Sequence, residues 1–469
     1  MGRQAVTERP ICILGAGYVG LVSGACLAEA GASSGAGSGG AAPVLCIDID
    51  DDLVARLCRG ELPLHEPGLA ALVARGLGSG RLAFSSDPER VQDAQVVLVS
   101  VGTWARRGDD RTDVSHVHAA ARSVAPFLAA DALVVTRSTV PVGTTRALGL
   151  ELARLTGRAI AVASNPEFLR EGSAITDFMH PARVVIGCAP GPAGDDAAVL
   201  LRTLYAPLDA PVLRLSLESA ELAKYAANAL LATKVSFMNE LSALCEVAGA
   251  DVAAIAEALA LDPRIGPGHL TPGPGLGGSC LPKDLRALAE MAEAHSVAAH
   301  VARGVLAADA AHKRRLADAI LALAPRRVAI LGLSFKADTS DLRSSPALDL
   351  ITTLRAQGIS IAAHDPHAAT APAARTLLPA DVALAPDPYA ACADADVTVI
   401  ATEWDSYRSL DLTRIAATMR GRHLVDLRAL IDPAAAAAAS LDLYTLGQPR
   451  PAVPAGTVNR QSTPLSAHD

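Results

Sequence analysis

Aromatic side chains are scarce in this 469-residue chain: phenylalanine, tryptophan and tyrosine make up 3% of it, although 51% of its residues are hydrophobic. A large core is therefore available, packed mainly by small aliphatic side chains, which favours helical layers. Basic residues are also in deficit, with 41 Lys and Arg against 49 Asp and Glu and a formal net charge of −8. This balance argues against a nucleic-acid partner, which usually requires a basic face.

Long apolar runs and paired cysteines are missing as well. The sequence has no stretch of about 18 uncharged apolar residues that could span a bilayer, and its first residues lack the apolar segment of a signal peptide. The eight cysteines stand singly, with no CxxC pair. We therefore expect no membrane partner, no metal site and no redox pair, and we place the chain in the cytoplasm with reduced thiols.

Short apolar runs alternate with helical stretches in both halves of the chain. Runs at 11–14, 44–47, 96–101 and 132–136 are typical of buried strands, and a second such pattern starts at Arg327. Between them, the proline-free segment 217–261 predicts one or two long helices. These features predict an α/β fold in which two Rossmann-like domains with parallel sheets are joined by a central helical dimerisation domain.

A glycine-rich turn follows the first predicted strand directly. Gly15, Gly17 and Gly20 form a GxGxxG pattern between a strand and a helix, and Asp48 closes the next strand. In this context the pattern predicts dinucleotide binding, in which Gly15 permits the tight turn, Gly17 lets a pyrophosphate approach, and Gly20 packs helix on strand. The Asp48 carboxylate would accept hydrogen bonds from the adenosine ribose and repel a 2′-phosphate, so NAD is predicted rather than NADP.

Two pairs of polar residues are spaced by four positions. Glu167 and Glu171 share one face if their segment is helical, and their apolar neighbours favour a buried, positioned pair over a solvated surface. Lys224 and Asn228 would project from one face of a helix, where a cation beside an amide can stabilise an oxyanion. An ordinary exposed lysine remains the alternative interpretation of Lys224.

Cys280 is the most informative single residue. It follows two glycines and a serine, and it precedes Pro282, which fits the first turn of a helix. A cysteine at a helix N-terminus near Lys283 is predicted to have a lowered pKa and to be nucleophilic, and Asp284, one turn on, could orient a water. A small buried cysteine remains the alternative.

These motifs, with several others, resemble the UDP-glucose/GDP-mannose dehydrogenase family from about residue 11 to residue 430. The matching segments are GAGYVG (15–20), PLHEPGL (63–69), STVPVGTT (138–145), NPEFLREG (165–172), ELAKYAANA (221–229), GGSCLPKD (277–284), GLSFKADTSDLRSSP (332–346), TEW (402–404) and VDLR (425–428). The resemblance implies NAD as the cofactor, a nucleotide sugar as the substrate, and a homodimer or higher homo-oligomer.

Together with the strand pattern, the resemblance divides the chain into domains. We expect an NAD-binding Rossmann domain at 1–212, a central helical dimerisation domain at 213–310, and a sugar-nucleotide-binding Rossmann-like domain at 311–445. The remaining segment, 446–469, is rich in Pro, Ser and Gln and is predicted to be a disordered tail.

By this resemblance, Cys280 is the nucleophile of a four-electron oxidation of a sugar C6 alcohol. The reaction passes through a thiohemiacetal and a thioester, which water hydrolyses. Glu167 is the acid/base that works through water, Lys224 and Asn228 stabilise oxyanions, and Asp284 positions water. UDP-glucose, converted to UDP-glucuronate, is the expected substrate.

The resemblance assigns further residues to the two ligands. The expected cofactor contacts are Gly15, Gly17, Tyr18, Val19, Gly20, Asp48, Thr103, Thr139, Glu171 and Arg343. The expected substrate contacts are Phe168, Leu169, Lys224, Asn228, Arg264, Gly277, Lys336 and Arg428. Among these, Arg264 is expected to reach the substrate across a dimer interface.

The chain departs from the family pattern at a few places. Trp104 replaces a proline, Leu276 a phenylalanine and Ala429 an asparagine, and the Gly/Ser/Ala-rich insertion 31–43, predicted to be a flexible surface linker, is long. None of these involves Cys280, so activity is expected. Three alternatives stay open: GDP-mannose as substrate, a two-electron NAD dehydrogenase that needs no cysteine, and a non-enzymatic NAD sensor or scaffold.

Overall fold

An eight-stranded sheet forms the first half of the structure, a computed structural model that describes residues 9–33, 43–103, 112–367 and 376–449. Its strands are β1 (Ile11–Leu14), β2 (Val44–Ile47), β3 (Leu82–Ser85), β4 (Val96–Val99), β5 (Leu133–Thr136), β6 (Ala161–Ser164), β7 (Val184–Cys188) and β8 (Val212–Leu215). They lie in the order β3-β2-β1-β4-β5-β6-β7-β8, and neighbours are parallel except β6 and β7.

The central strands of this sheet are short apolar segments that can be buried on both faces. β1, β2, β4 and β5 are buried along their whole length, as expected for parallel strands covered by helices on both sides. The helices are α1 (Tyr18–Ser33), α2 (Asp51–Cys58), α3 (Leu69–Gly78), α4 (Ser115–Val124), α5 (Thr144–Thr156), α6 (Ala174–Met179) and α7 (Pro192–Tyr205), with 3-10 turns at Pro88–Asp93, Ala125–Phe127 and Ala206–Leu208.

Helices alone make up the centre of the chain. They are α8 (Leu217–Ala248), α9 (Val252–Ala260), α10 (Leu281–Ala294) and α11 (His300–Leu321). The Ser216 side chain caps the N-terminus of α8, and Gly249 ends this helix with a left-handed φ of 74°. The segment 217–261 therefore forms two helices, one of the two outcomes that its sequence predicts.

A second, six-stranded parallel sheet completes the fold. Its strands are β9 (Arg327–Leu331), β10 (Ser360–His364), β11 (Ala383–Leu384), β12 (Val397–Ile400), β13 (His423–Asp426) and β14 (Asp442–Thr445). Its helices are α12 (Pro346–Ala356), α13 (Pro388–Cys392), α14 (Asp405–Arg408), α15 (Leu412–Thr418) and α16 (Pro433–Ala438). The order β11-β10-β9-β12-β13-β14 is that of a dinucleotide-binding Rossmann sheet, so the predicted fold of two Rossmann-like units around a helical centre is confirmed.

The structure describes only part of the C-terminal segment and of the insertion for which the sequence makes predictions. Leu446 is buried, and the Gly447 N–H donates to Glu246 at 3.2 Å. The predicted start of a disordered tail at residue 446 is therefore wrong, because the chain still packs against α8 there. Residues 450–469, most of the insertion 31–43, and Trp104 lie outside the described residues. Within the described part of the chain, no helix is both long enough and apolar enough to cross a membrane.

Ala429 has a backbone conformation that alanine tolerates poorly. Its φ is 52°, in the left-handed region where a Cβ costs roughly 1–2 kcal/mol and asparagine is better tolerated. Ala429→Asn is therefore expected to raise the free energy of unfolding by up to about 1 kcal/mol, measured as a higher thermal midpoint. The control is Ala439→Asn, at a helix end with φ −78°. Equal shifts in the two variants would contradict strain at Ala429.

Candidate active site

The carboxyl ends of β1, β2 and β4 open onto a long cleft. One part of it, of about 560 Å³, lies beside Gly15, Gly17 and Asp48. A second part, of about 350 Å³, shares Gly17 with the first and is also lined by Tyr18, Val19, Thr103, Thr139, Glu167, Leu169, Glu171, Cys280 and Arg343. We call this second part the catalytic cleft. Three segments that are far apart in the sequence thus converge on one cleft: the glycine loop, residues 167–171 and the loop around Cys280.

The glycine loop has the geometry that a dinucleotide requires. Gly15 has a φ of 97°, and a Cβ on Gly20 would lie 1.9 Å from the Gly15 carbonyl oxygen, whereas a Cβ on Gly17 would meet no atom within 4 Å. Asp48 Oδ2 accepts the N–H of Ala16 at 2.6 Å, so this acid also fixes the loop. Because the space at Gly17 and the N-terminus of α1 suit a pyrophosphate, these residues fit NAD.

Glu66 ties the glycine loop to the segment that follows Glu171. Its carboxylate accepts the Tyr18 hydroxyl at 2.5 Å and the N–H groups of Gly172 and Ala174 at 2.6 and 2.7 Å. Burial and this carboxylate both raise the pKa of Tyr18. The sequence prediction assigned Glu66 no role, although its segment, PLHEPGL, was among the matching motifs. The structure makes it the residue that joins two walls of the catalytic cleft.

Cys280 occupies the N-cap position of α10 and has a solvent-exposed face. The walls of the cleft nevertheless remove much of the water around the sulfur. This desolvation raises the pKa of the thiol, and the Lys224 ammonium acts in the opposite direction. The predicted lowering of this pKa is therefore wrong, because one ammonium and a helix end do not offset the lost hydration. Lys283, the expected neighbour, instead pairs with Asp284 at 2.7 Å.

Lys224 and Glu167 form a buried ion pair, with 3.1 Å between Nζ and Oε1 and side-chain exposures of 5% and 8%. Burial is the largest single influence and opposes both charges, but the attraction between the partners, added to that of other nearby groups, outweighs it, so the pKa of Glu167 is lowered and that of Lys224 is raised. The charges of Cys280 and Asp284 raise the pKa of Lys224 further. Both partners are therefore ionised near neutral pH, and the alternative of an exposed lysine is wrong.

Asn228 lies one turn after Lys224 on α8 and is also buried. Its amide nitrogen donates to Asp284 Oδ2 at 2.6 Å, and the Asp284 carboxylate, on α10, is almost fully buried. The prediction that Lys224 and Asn228 share one helix face is confirmed. The two helices thus bring an ammonium, an amide and a carboxylate together beside the loop that carries Cys280, where the Glu167 carboxylate joins them.

The segment that carries Glu167 and Glu171 is irregular, since residues 165–170 form no helix. The two carboxylates face different partners: Glu167 faces Lys224, whereas Glu171 Oε1 lies 3.4 Å from the Arg343 guanidinium. The predicted shared helical face is therefore wrong. Pro166 supplies the reason, because it has no N–H to donate and it disfavours helical backbone in the residue before it.

Arg137 is a second residue that the sequence prediction missed. Its side chain is buried, and it donates from Nε to Ser23 Oγ at 3.0 Å and from Nη1 to Asn165 Oδ1 at 2.8 Å. After Lys224 and the Leu169 N–H, its charge is the next influence that lowers the pKa of Glu167. Ser23 is 114 positions away in the chain, so no local pattern signals this contact.

Glu171 has a pKa raised to about 7, because burial and the Asp341 carboxylate disfavour its charge more than Arg343 favours it. The folded protein therefore binds this proton more tightly than the unfolded chain, whose pKa is close to 4.5. The resulting stability is full below the unfolded pKa and is lost as pH rises through the folded one.

Glu171→Gln is expected to remove this pH dependence. The free energy of unfolding of the wild type, relative to the variant, should fall by about 3 kcal/mol as pH rises from about 4.5 to about 8. Denaturant unfolding at each pH measures this difference. Glu257→Gln, at an exposed position on α9, is the control. Parallel pH curves for wild type and Glu171→Gln would contradict the raised pKa.

Residues predicted to contact the substrate line a cavity of about 420 Å³ that shares Arg137, Glu167 and Leu169 with the catalytic cleft. Phe168, Lys224 and Asn228 also line it. The Arg183 guanidinium lies over the Phe168 ring, 3.6 Å from its centroid, which fixes the ring by a cation–π contact. The cavity therefore continues the catalytic cleft past the Lys224–Glu167 pair.

Three other predicted substrate residues gather around Phe335. Arg428 Nη2 donates to the Phe335 carbonyl at 3.0 Å, and the Lys336 ammonium lies 5.5 Å from the Phe335 ring centroid. Gly277 approaches so closely that a Cβ there would lie 2.9 Å from Phe335 Cβ. Burial lowers the pKa of both Lys336 and Arg428. Arg428 lines a separate cavity of about 220 Å³ beside α9.

Arg264 is a predicted substrate contact that lies away from the catalytic cleft and the adjoining cavity. Its side chain is 88% exposed and pairs with Asp262 at 2.6 Å. It lines none of the cavities described above within the described residues. A single chain therefore gives Arg264 no contact with the site.

Known proteins resemble the chain along almost its whole length. Residues 9–209 match the NAD binding domain of the UDP-glucose/GDP-mannose dehydrogenase family, residues 218–310 its central domain, and residues 329–433 its UDP binding domain. The UDP-glucose 6-dehydrogenase of Rhizobium meliloti (strain 1021) is 42% identical over 434 residues, covering 89% of this chain and 94% of that protein. The UDP-glucose 6-dehydrogenase of Pseudomonas aeruginosa is 42% identical over 457 residues, covering 94% and 98%.

Solved structures agree with these matches. A UDP-glucose dehydrogenase from the archaeon Pyrobaculum islandicum superposes with a TM-score of 0.82 at 35% identity, covering 92% of this chain and 96% of that one. A UDP-D-ManNAc dehydrogenase from Pyrococcus horikoshii superposes with a TM-score of 0.80 at 25% identity, covering 94% and 99%. The glycine loop, the buried Lys224–Glu167 pair and Cys280 lie at one cleft, in agreement with these matches. The chain therefore belongs to the UDP-glucose/GDP-mannose dehydrogenase family and uses NAD.

Proposed function

We propose that the chain oxidises UDP-glucose to UDP-glucuronate in an NAD-dependent, four-electron reaction. The observation that carries this proposal is that the Cys280 thiol and the glycine loop line the same cleft, with the Lys224–Glu167 pair electrostatically coupled to the sulfur. The choice of sugar nucleotide is supported by two relatives at 42% identity that are UDP-glucose 6-dehydrogenases.

We assign the cofactor to the glycine loop and the adjoining walls of the cleft. The N–H groups at the start of α1 would bind the pyrophosphate, Asp48 the adenosine ribose, and Thr103, Thr139, Glu171 and Arg343 would line the rest of the cofactor site. Bound NAD supplies the hydride acceptor for both oxidations. The substrate would lie along the cavity beside Phe168 and Leu169, with its nucleotide towards Gly277, Lys336 and Arg428.

The covalent step joins Cys280 Sγ to the aldehyde carbon, and the thiol proton passes through water to the carbonyl oxygen, which becomes the hydroxyl of a thiohemiacetal. In this proposal Lys224 and Asn228 stabilise the charge on that oxygen. After the second oxidation the same carbon is a thioester. A water positioned by Asp284 gives up one proton to Glu167 and attacks this carbon, the C–S bond breaks, and the departing Cys280 thiolate takes the second proton, which leaves the free thiol and the carboxylate product.

A panel of sugar nucleotides tests the proposed substrate. We expect the highest kcat/KM for NADH release with UDP-glucose, well above that with GDP-mannose or with UDP-sugars that carry an N-acetyl group. A preference for GDP-mannose would overturn the choice of sugar. Binding of sugar nucleotides without any NADH release would overturn the enzymatic assignment and favour a sensor or scaffold.

We also propose that the chain forms a homodimer through α8. Apolar side chains on this helix face solvent in one chain, with exposures from 42% to 81%: Leu222, Leu230, Phe237, Leu244 and Val247. An apolar face of this kind marks a protein interface. Arg264, in the loop after α9, has no contact with the site of its own chain and fits a role in the partner's site.

The proposed three-domain division and the cytoplasmic location stay predictions.

Light scattering tests the dimer. We expect twice the chain mass of 47.9 kDa for the wild type and the mass of a single chain for Phe237→Asp. Leu150→Asp, at an apolar and more exposed position on α5, should leave the mass unchanged. A monomeric wild type, or dissociation by both substitutions, would contradict the interface.

A further inference from the structure

The loop that leads into Cys280 is held by side chains from two helices. Gly273 donates its N–H to Asn239 Oδ1 of α8 at 2.8 Å, and its carbonyl bonds to His312 Nε2 of α11, also at 2.8 Å. Leu276 donates its N–H to Asp309 Oδ1 at 2.6 Å. Both peptide groups lie in a Gly/Pro-rich segment that has no secondary structure of its own to satisfy them.

Lys313 completes this arrangement. Its ammonium donates to the Leu276 carbonyl at 3.1 Å, pairs with Asp309 Oδ2 at 3.1 Å, and pairs with Asp349 of α12 at 2.9 Å. The N–H and the C=O of both Gly273 and Leu276 are thus bonded to side chains. We call Asn239, Asp309, His312 and Lys313 the loop clamp.

The fit between clamp and loop is close. Gly275 has a φ of 140°, and a Cβ there would lie 2.5 Å from Lys313 Cε and 3.1 Å from Asp309 Oδ1. Asp309 and His312 are buried, and burial lowers the pKa of His312, so this imidazole is neutral and can donate to the Gly273 carbonyl. The backbone therefore passes over the face of α11 at a distance that only glycine allows.

Only three residues separate Leu276 from Cys280, so the position of this peptide limits where the thiol can lie. Gly277 and Gly278 pack against Phe335, with distances of 2.9 Å from a Cβ on either glycine to that side chain. The clamp thus fixes one end of the loop while α10 fixes the other. Because a displacement of about 1 Å can cost a catalytic group roughly 100-fold in rate, the clamp bears directly on the chemistry.

We propose that Asp309, with Asn239, His312 and Lys313, positions Cys280 by holding the peptides of Gly273 and Leu276. These are positioning residues, since they act through the backbone of the loop. The inference rests on the proposed role of Cys280 as nucleophile. It extends the site to α11, a helix that carries none of the matching sequence motifs and lines neither the catalytic cleft nor the cavity beside Phe168.

The test compares Asp309→Ala with Asp318→Ala, an exposed aspartate on the same helix. For Asp309→Ala we expect kcat to fall about 10- to 100-fold, while the KM for NAD, which the other domain binds, changes less than about twofold. Asp309→Asn keeps an oxygen for the Leu276 N–H and should recover most of kcat. If Asp309→Ala does not fold, Asn239→Ala, which removes the acceptor of the Gly273 N–H, gives the same comparison.

A second measurement separates this inference from the proposed function. The rate of Cys280 alkylation by iodoacetamide against pH, followed on the peptide that contains it, requires no turnover. Loss of the clamp should lower the apparent pKa of Cys280, because a thiol that is no longer held between the cleft walls regains water, and desolvation outweighs the Lys224 ammonium in the intact site. A pH profile and a kcat equal to those of Asp318→Ala would overturn the clamp. A wild type that oxidises no sugar nucleotide would overturn the proposed function instead, whatever the alkylation profile.

Discussion

Cys280→Ala is expected to lower the rate of acid formation by at least about 10³-fold, the scale seen when a covalent nucleophile is removed. The variant retains the glycine loop, the Lys224–Glu167 pair and the walls of the cleft, so it should still bind NAD and the sugar nucleotide. Without the thiol, no thiohemiacetal can form, and the carbon cannot be presented for a second oxidation. Steady-state NADH release and product analysis measure the effect.

Cys58→Ser is the matched control, because Cys58 is also a free, exposed cysteine but lies at the end of α2, outside the catalytic cleft. We expect it to retain wild-type kcat. A carbonyl-trapping reagent should detect aldehyde with Cys280→Ala and none with Cys58→Ser. Full acid production by Cys280→Ala would contradict the covalent mechanism.

Lys224→Met should damage both stability and activity, for separable reasons. Removal of the ammonium leaves the Glu167 carboxylate buried without its partner, which costs about 3–5 kcal/mol. It also removes the charge proposed to stabilise the oxyanion, which lowers kcat by about 10²- to 10³-fold. Thermal unfolding and steady-state kinetics measure the two effects.

The double variant Lys224→Met with Glu167→Gln separates them. Both buried charges are then absent, so most of the lost stability should return, whereas kcat should stay low. Lys234→Met provides a contrasting lysine on the same helix, because the Lys234 ammonium donates to the Ile265 and Gly266 carbonyls at 3.1 and 3.2 Å rather than to a buried carboxylate. Recovery of activity together with stability in the double variant would show that the pair is structural and would contradict its catalytic assignment.

The fold was largely predictable because its signals are local. The apolar strands, the glycine turn and the proline-free helix each depend on neighbouring residues, and two Rossmann-like units follow from their order. The Lys224–Asn228 helix face was predictable for the same reason. The segment with Glu167 and Glu171 was not, because Pro166 and tertiary partners override the spacing of four.

The parts of the site that the sequence did not predict depend on contacts between residues that are far apart in the chain. Glu66 acts through residues 106 and 108 positions away, the contact of Arg137 with Ser23 spans 114 positions, and that of Asp309 with Leu276 spans 33. The pKa of Cys280 was predicted in the wrong direction because a sequence shows nearby charges but not the desolvation that outweighs them. Burial of this kind becomes visible only when three segments close around one cleft.

The number of NADH molecules released per UDP-glucose consumed tests the central claim most directly. One thiol in a cleft that also holds the cofactor predicts two NADH and one UDP-glucuronate for each sugar nucleotide, with no free aldehyde. Release of a single NADH, with the aldehyde as the accumulated product, would contradict the account.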